Sequence, residues 1–273
     1  CVLLYFLMPS LKAKNAVLLV FSLVFYAWGE PVYVLLMLGV SAANWAFGLL
    51  MERLNKKAVL VCAIVFDLGS LAVFKYAGFL VENLNALAGL SLPVPKIALP
   101  IGISFYTFQI LSYIVDVYRG SVGVQHSYPR FLLYVSLFPQ LIAGPIVRYS
   151  DVEKEMSARK TEPEEIFYGV TRFCIGLAKK ILIADYAGKA ASQLLDGNLA
   201  AQSTLGVWFG VLLYAFEIYF DFSGYSDMAI GLGRIFGFRY PENFRLPYMA
   251  KSITEFWRRW HISLSSFFRD YLY

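Results

Sequence analysis

The sequence predicts an all-α fold, a polytopic bundle of transmembrane helices with re-entrant and amphipathic interfacial helices. Hydrophobic residues make up 59% of the chain and charged residues 16%, whereas a soluble domain has about 45–50% and about 25%. Long uncharged apolar runs are typical of helices that cross a bilayer. The 17% aromatic content, mainly Phe and Tyr, suits belts of aromatic side chains at the two membrane surfaces.

Seven apolar runs follow one another along the chain, and each predicts a helix in or at the membrane. Some are shorter than the roughly 20 residues that a spanning helix needs, so these are expected to tilt or to enter without crossing. Gly29-Glu30-Pro31 predicts a tight break between the first two runs. The runs are 16–28, 32–51, 58–74, 97–115, 131–147, 166–178 and 205–220.

The run 131–147 is predicted to be re-entrant. Pro139 and Gly144-Pro145 interrupt it, and broken backbone at membrane depth is tolerated only inside protein or along a cavity. The segment 151–165 mixes acidic and basic residues and is expected to be a hydrated loop or a surface helix. Asp67 and Asp116 are costly if they face lipid, so both are expected to face the bundle.

The distribution of basic residues predicts the orientation of the first helices. It also indicates that the partner of the protein is a lipid bilayer and that the protein does not bind nucleic acid. The net charge of +5 comes mainly from short loops, which is the positive-inside pattern. Lys12 and Lys14, like Arg53, Lys56 and Lys57 after the second run, are therefore expected on the cytoplasmic side, with Glu30 outside. The cysteines Cys1, Cys62 and Cys174 lie far apart, without disulfide or metal spacing.

The segment 252–273 predicts one amphipathic helix at the membrane surface. At about 100° per residue, one stripe carries Trp257, Trp260, Leu264, Phe268 and Tyr271, and His261 falls on this apolar side. His261 has two interpretations. A neutral imidazole can accept a proton from a hydroxyl as a general base, or the ring can serve packing through a hydrogen bond to a backbone carbonyl. The other histidine, His126, lies in a polar loop and is expected at the surface.

A second polar cluster spans residues 217–227. Glu217 and Asp221 are four residues apart and share a helix face, and Gly224 is expected to let the chain turn. Such carboxylates can relay protons or bind a cation, but buried acids are usually paired. We therefore favour a structural role in which Asp221 and Asp227 fix the turn or pair with Arg234, Arg239 or Arg258. No histidine lies nearby in sequence, so no metal site is predicted.

Lys179 and Lys180 lie in an otherwise apolar segment. Lysines in such a setting usually extend along the helix toward the membrane surface. The alternative is a contact with an anionic acyl donor or carrier.

Several long motifs resemble the membrane-bound O-acyltransferase family, most closely its branch of bacterial alginate O-acetylation membrane proteins, with the teichoic-acid D-alanylation transferases as more distant relatives. The resemblance covers nearly the whole chain. It is strongest in residues 219–231 (YFDFSGYSDMAIG), 241–244 (PENF) and 255–265 (EFWRRWHISLS), and weaker in 138–145 and 179–185.

The resemblance implies a single membrane domain over 1–273 around a central channel or funnel. It implies O-acyl transfer, with acetyl most expected, from a cytoplasmic thioester such as acetyl-coenzyme A or an acyl carrier, and no tightly bound cofactor. The acceptor would be an extracytoplasmic polysaccharide hydroxyl, reached through exported, periplasmic acetyltransferase partners in alginate or other exopolysaccharide synthesis. The setting would be the bacterial inner membrane.

The resemblance carries over His261 as one of two functional histidines. Asp221, Asp227, Arg259 and Trp260 are further candidates for the substrate pathway. Arg259 and Trp260 are expected mainly to shape and anchor the helix. The second family histidine lies in a downstream Trp-His segment that this chain does not contain. The chain is therefore expected to be a fragment, incomplete at the C-terminus and at the N-terminus, where it opens on Cys1, and inactive alone.

Three other functions stay open. The resemblance also allows a D-alanylation transferase of the teichoic-acid type. The residues allow an ion-coupled transporter or flippase in which Glu217, Asp221 and Asp67 form the charge pathway, and a fragment could also be a non-catalytic membrane scaffold.

Overall fold

A computed structural model describes residues 1–95, 97–142, 144–197 and 202–273, and these parts of the chain contain helices without strands. The predicted all-α fold is confirmed. A π-helix spans Lys179–Ala184 and a 3₁₀ turn spans Pro247–Met249. The α-helices are α1 (Val2–Leu7), α2 (Leu11–Gly29), α3 (Tyr33–Leu50), α4 (Lys56–Ala88), α5 (Ile103–Arg119), α6 (Tyr128–Ser136), α7 (Tyr149–Ser157), α8 (Pro163–Ala178), α9 (Asp185–Leu195), α10 (Thr204–Ile235), α11 (Ile253–Arg259) and α12 (Ile262–Tyr271).

Within the described residues, four helices are long and apolar enough to cross a membrane: α2, α3, α4 and α10. Three of these helices begin at polar caps. The side chains of Ser10, Asn55 and Ser203 accept hydrogen bonds from backbone N–H groups at the starts of α2, α4 and α10, which satisfies donors that the helix itself leaves unpaired. The predicted break at Gly29-Glu30-Pro31 separates α2 from α3, as expected.

The chain forms two compact units. The first consists of residues 1–142 and 146–158, and the second consists mainly of Arg159–Tyr273. A single family domain over 1–273 stays a prediction.

In the first unit, α5 and α6 supply the core. Tyr106, Tyr113 and Phe131 are almost completely buried there. The apolar run 97–115 becomes helical only from Ile103, because Pro100 and the left-handed Gly102 (φ 77°) precede the helix. A left-handed conformation is open to glycine at little cost.

Asp67 and Asp116 face the interior of this unit, as predicted. Asp116 is buried in α5, and Asp67 is buried in α4, where the side-chain amide of Asn44 donates to Asp67 Oδ1 at 2.6 Å.

The run 131–147 is broken where its prolines predict. Helix α6 ends at Ser136, and the non-helical residues Leu137, Leu141 and Val147 are buried within the unit. The side chain of Gln140 donates to the carbonyl of Tyr134 at 2.7 Å and so binds the break to the preceding helix. Position 143 lies outside the described residues, and re-entry into the membrane stays a prediction. In the segment 151–165, α7 is the expected surface helix.

The second unit is built on α10. Helix α8, the π-helix and α9 run antiparallel to it. A Cβ at Gly169 would lie 2.6 Å from the carbonyl oxygen of Gly231, and one at Gly224 would lie 2.7 Å from that of Gly176. These two glycine pairs let the backbones of α8 and α10 approach closely, as small residues do in membrane helix pairs. The predicted turn at Gly224 is wrong, because the glycine serves this close packing while α10 continues to Ile235.

The prediction of one helix over 252–273 is also wrong. Helix α11 ends at Arg259, Trp260 is extended, His261 is left-handed (φ 45°), and α12 starts at Ile262. The backbone groups that a continuous helix would pair internally are used by residues 243–245 instead. Ile262 N–H donates to the carbonyl of Asn243 at 3.0 Å, and Arg259 C=O accepts from Arg245 N–H at 2.9 Å. The predicted apolar stripe is therefore divided between two helices.

Candidate functional site

His261 occupies the break between α11 and α12. Its φ of 45° is uncommon for a residue with a side chain, and among the described non-glycine residues only Leu246 shares a positive φ. Such backbone strain persists when surrounding contacts hold it, and it is found often at functional sites. Here the contacts are the backbone hydrogen bonds to residues 243–245 described above.

Asn243 fixes the orientation of the imidazole. Its side chain is fully buried, and its Oδ1 lies 3.1 Å from His261 Nδ1. The same oxygen accepts from the backbone N–H of Ser263 at 3.3 Å and from its hydroxyl at 2.9 Å. Because the backbone N–H can only donate, these bonds assign the acceptor end of the amide to this position.

That assignment decides which ring nitrogen carries the proton. Facing an acceptor, Nδ1 of a neutral His261 must be the N–H donor, so Nε2 carries the lone pair. Within the part of the chain that the structure describes, Nε2 makes no hydrogen bond. The imidazole therefore presents a free basic nitrogen.

Aromatic rings surround this imidazole. Phe222 of α10 packs edge-on against His261 with the ring centres 4.8 Å apart, and Phe244 lies 5.0 Å from Phe222 and 5.1 Å from Trp260. Removal from water disfavours the charged ring. Burial accordingly lowers the pKa of His261 from its ordinary value of 6.5 to about 4, which keeps the ring neutral at physiological pH.

Trp260 and Arg259 shape the helix junction. The Trp260 ring stacks on Phe256 at 5.6 Å. Arg259 donates to Glu255 at 2.6 Å, and Glu255 also accepts from the backbone N–H of Lys251 at 2.8 Å. These two donors, the backbone N–H first, lower the pKa of Glu255. Both predicted residues thus lie beside His261 in a structural setting, and a role in the substrate pathway stays a prediction.

Asp221 and Asp227 form ion pairs across the interface between α8, the π-helix and α10. Asp227 accepts from Arg172 at 2.8 Å and also binds Lys179, while Asp221 binds Lys180. The preference for pairing is confirmed, but the predicted partners are wrong. Of the arginines predicted to pair with them, Arg234 and Arg239 both bind Glu165, each at 2.8 Å.

These pairs also revise the interpretation of the two lysines. Lys179 and Lys180 point at carboxylates of α10, because the antiparallel packing of the helices brings Asp227 and Asp221 opposite them. The main contact of each lysine is therefore a carboxylate of α10, and neither side chain mainly extends toward the membrane surface. Glu217 packs on Gly188 of α9.

A cavity of about 350 Å³ lies next to these pairs, and its walls include Arg172, Lys179, Asp227, Tyr219 and Phe244. Phe244 is shared with the aromatic layer that covers the imidazole. His261 itself is not among the residues that line the cavity.

The sequence did not assign a role to Arg172, Glu242, Asn243 or Ser263. Asn243 and Glu242 belong to a motif that carries the family resemblance, and Ser263 lies two residues after His261 in the sequence. Membership of the motif and closeness in sequence to His261 were the available signals. The contact between Asn243 and His261 could not be read from spacing, because it depends on the left-handed break. Arg172 also binds Glu242, which lies 70 residues away.

A model of the membrane-bound O-acyltransferase family matches residues 102–273, a range that includes all of the site described above. Over 99% of the chain, 45% of residues are identical to the probable alginate O-acetylase AlgI of Pseudomonas aeruginosa, of which the match covers 53%.

More distant relatives carry other acceptors in their names. A peptidoglycan O-acetyltransferase of Helicobacter pylori is 34% identical over 98% of this chain and 58% of its own length. A teichoic acid D-alanyltransferase of Bacillus subtilis is 34% identical over 63% of this chain and 44% of its own length. The chain spans about half the length of the curated relatives it matches. With its four apolar helices and its family match, it is a membrane protein that belongs to the membrane-bound O-acyltransferase family.

Proposed function

We propose that the protein is part of a membrane O-acyltransferase that moves an acyl group, acetyl in the first place, from a thioester donor to a hydroxyl group. The donor is acetyl-coenzyme A or an acylated carrier protein on the cytoplasmic side. The acceptor is an extracytoplasmic polysaccharide, reached directly or through exported partner proteins. The protein resides in the bacterial inner membrane and crosses it several times.

The arrangement of His261 is the observation that carries this function. A general base must be unprotonated at the working pH and must offer its lone pair to the acceptor hydroxyl. The bond from Nδ1 to Asn243 leaves Nε2 available, and burial keeps the ring neutral. The family match and the names of the relatives support the acyl transfer itself.

The reaction follows from these roles. Nε2 of His261 takes the proton of the acceptor hydroxyl while the hydroxyl oxygen attacks the thioester carbonyl carbon, which gives a tetrahedral oxyanion and an imidazolium. The oxyanion then collapses, the carbon–sulfur bond breaks, and the leaving thiolate takes the proton from the imidazolium. The products are an ester and a free thiol, and the imidazole is regenerated. Asn243 is a positioning residue that holds the ring through both proton transfers.

Two alternatives differ in the group that is moved. Transfer of D-alanyl is supported by the teichoic acid relative, although it matches a smaller part of the chain than the acetylases do. Transport of an ion through Glu217, Asp221 and Asp67 has less support, because Asp221 is engaged with Lys180 and Asp67 with Asn44.

The function is tested by exchanging His261 in the full-length gene. We expect His261→Gln to remove ester-linked acyl groups from the exported polymer at unchanged protein level in the membrane, since general-base catalysis contributes about 10²–10⁴-fold. The measurement is release of the esters by mild base, followed by mass spectrometry of the freed acid. Acetate supports O-acetylation, and alanine supports the D-alanyl alternative.

His126→Gln is the matched control. It removes the other histidine of the sequence, which is exposed beside Glu52 at 3.5 Å, and it should leave the ester content unchanged. Normal esterification in the His261→Gln strain would refute the assignment of the base.

A further inference from the structure

A basic cavity in the first unit has no part in the proposed acyl transfer. Its volume is about 620 Å³, and its walls come from the start of α2 and from the segment that leads into α6. This is within the size range of small-ligand sites in proteins. The side chains of Lys12, Arg130 and His126 line it, together with the amides of Asn15 and Gln125.

The charges of this cavity are unbalanced. Among the described residues, no carboxylate lines it, and neither Lys12 nor Arg130 has an acidic side chain within ion-pairing distance. His126 is the exception, because Glu52 lies 3.5 Å from its ring. The amides are engaged within the protein, since Asn15 donates to the carbonyl of Met156 at 3.0 Å and Gln125 donates to the hydroxyl of Tyr149 at 2.7 Å. The two cations Lys12 and Arg130 therefore line one opening without an anion, a composition that favours a phosphate or another acidic oxygen group.

The polarity of α2 changes with depth along the cavity. Lys12, Asn15, Ala16 and Leu19 all line it, and their spacing of three or four residues puts them on one helix face. Lys12 lies in the first turn of this candidate membrane span, and Leu19 lies about 10 Å further along the axis. A membrane-spanning α2 would place the positively charged end of the cavity at the membrane surface and the apolar end within the bilayer.

We propose that this cavity binds the headgroup of an anionic phospholipid on the cytoplasmic side. The phosphate contacts Lys12 and Arg130, and an acyl chain follows Ala16 and Leu19 along α2. Basic pockets between membrane helices on the cytoplasmic side bind acidic lipid headgroups in this way. A soluble phosphate ester shares the headgroup chemistry but has nothing to occupy the apolar end.

The test titrates the delipidated full-length protein in detergent with short-chain phosphatidylglycerol and measures bound lipid by native mass spectrometry. For Lys12→Gln/Arg130→Gln we expect the affinity to fall about thirty-fold, because each basic side chain contributes about five-fold at an anionic lipid surface. Lys14→Gln/Lys57→Gln removes the same charge from the same membrane side but leaves the cavity intact, and it should bind like wild type. Equal loss in both double variants would overturn the site.

Two further arms separate the sources of the phosphate and guard against a misfolded variant. Leu19→Trp fills the apolar end of the cavity without changing its charge. This single substitution should weaken the binding of phosphatidylglycerol. Glycerol 3-phosphate, which has the same phosphate and no chains, should not compete. Competition by glycerol 3-phosphate at the lipid's own concentration, or unchanged lipid binding in Leu19→Trp, would contradict the lipid assignment.

Discussion

A single buried amide decides the chemistry that His261 can perform. Asn243 Oδ1 holds Nδ1 of the ring and two donors of Ser263 at once. The side chain is fully buried, so water cannot replace it when it is removed. Loss of the Asn243 oxygen would let the imidazole rotate or change tautomer. Nε2 would then no longer be held in one direction with its lone pair free.

Exchange of Asn243 separates positioning from packing. We expect Asn243→Leu, which keeps the side-chain volume, to lower acyl transfer by about 10²-fold or more, within the range of a general base. Asn243→Asp keeps an acceptor for Nδ1 and for Ser263 and should recover most of the activity. The readout is polymer-bound acyl groups per membrane-inserted protein. Equal losses in the two variants would mean that Asn243 acts only in folding.

Burial of His261 also makes stability depend on pH. The folded-state pKa is about 4, below the ordinary value of 6.5, so the unfolded chain binds more protons between these values. The contribution of the neutral ring to the free energy of unfolding is fully present above pH 6.5. It is lost as the pH falls toward 4, by up to about 3 kcal/mol. Thermal unfolding in detergent should show the free-energy difference between wild type and His261→Gln shrinking over that interval. A difference that stays constant with pH would contradict a buried neutral imidazole.

At the scale of elements, two glycine pairs set the distance between α8 and α10. The ion pairs of Asp227 and Asp221 with Arg172, Lys179 and Lys180 depend on that distance. Helix α10 also carries Phe222, which packs on His261. Close backbone packing and the position of the imidazole are therefore linked through one helix.

A side chain at this interface should be costly. A Cβ at Gly224 would lie 2.7 Å from the carbonyl oxygen of Gly176, a backbone atom, so Gly224→Ala forces the helices apart at a cost of about 1–3 kcal/mol. Gly39→Ala in α3 is the control, because nothing lies within 4 Å of a Cβ there, and alanine favours a helix by about 1 kcal/mol. In detergent, the unfolding temperature of Gly224→Ala should be lower than that of wild type, and the unfolding temperature of Gly39→Ala should be equal to or higher than that of wild type. The reverse order would exclude tight packing at Gly224.

The sequence predicted the elements better than the contacts between them. Apolar runs and Pro or Gly breaks correctly placed α2, α3 and the end of α6, because hydrophobicity and backbone restriction act locally. The left-handed break at His261 was missed, since it is stabilised by Asn243, 18 residues upstream. Gly224 was predicted to allow a turn, which is a common role of glycine. Glycine also permits close helix packing, and the local sequence does not distinguish the two roles. The partners of Asp221 and Asp227 depend on the register of two helices, which no local pattern encodes.

At the scale of the whole molecule, the first three spans carry a prediction about orientation. The basic residues at the start of α2 and around the start of α4 are expected in the cytoplasm, and Glu30 outside. In intact cells, a membrane-impermeant thiol reagent should label Glu30→Cys but not Lys57→Cys, in a background without the native cysteines. Lysed cells should label both. Labelling of Lys57→Cys alone in intact cells would invert the topology and move the basic cavity to the other side.

The proposed acyl transfer depends on the protonation state of His261. Nitrogen NMR of the full-length protein with labelled histidine, assigned by the loss of signals in His261→Gln, measures it directly. At pH 7 we expect a neutral ring with the proton on Nδ1 and an unprotonated Nε2, and loss of this preference in Asn243→Leu. A proton on Nε2, or an imidazolium at pH 7, would contradict this expectation.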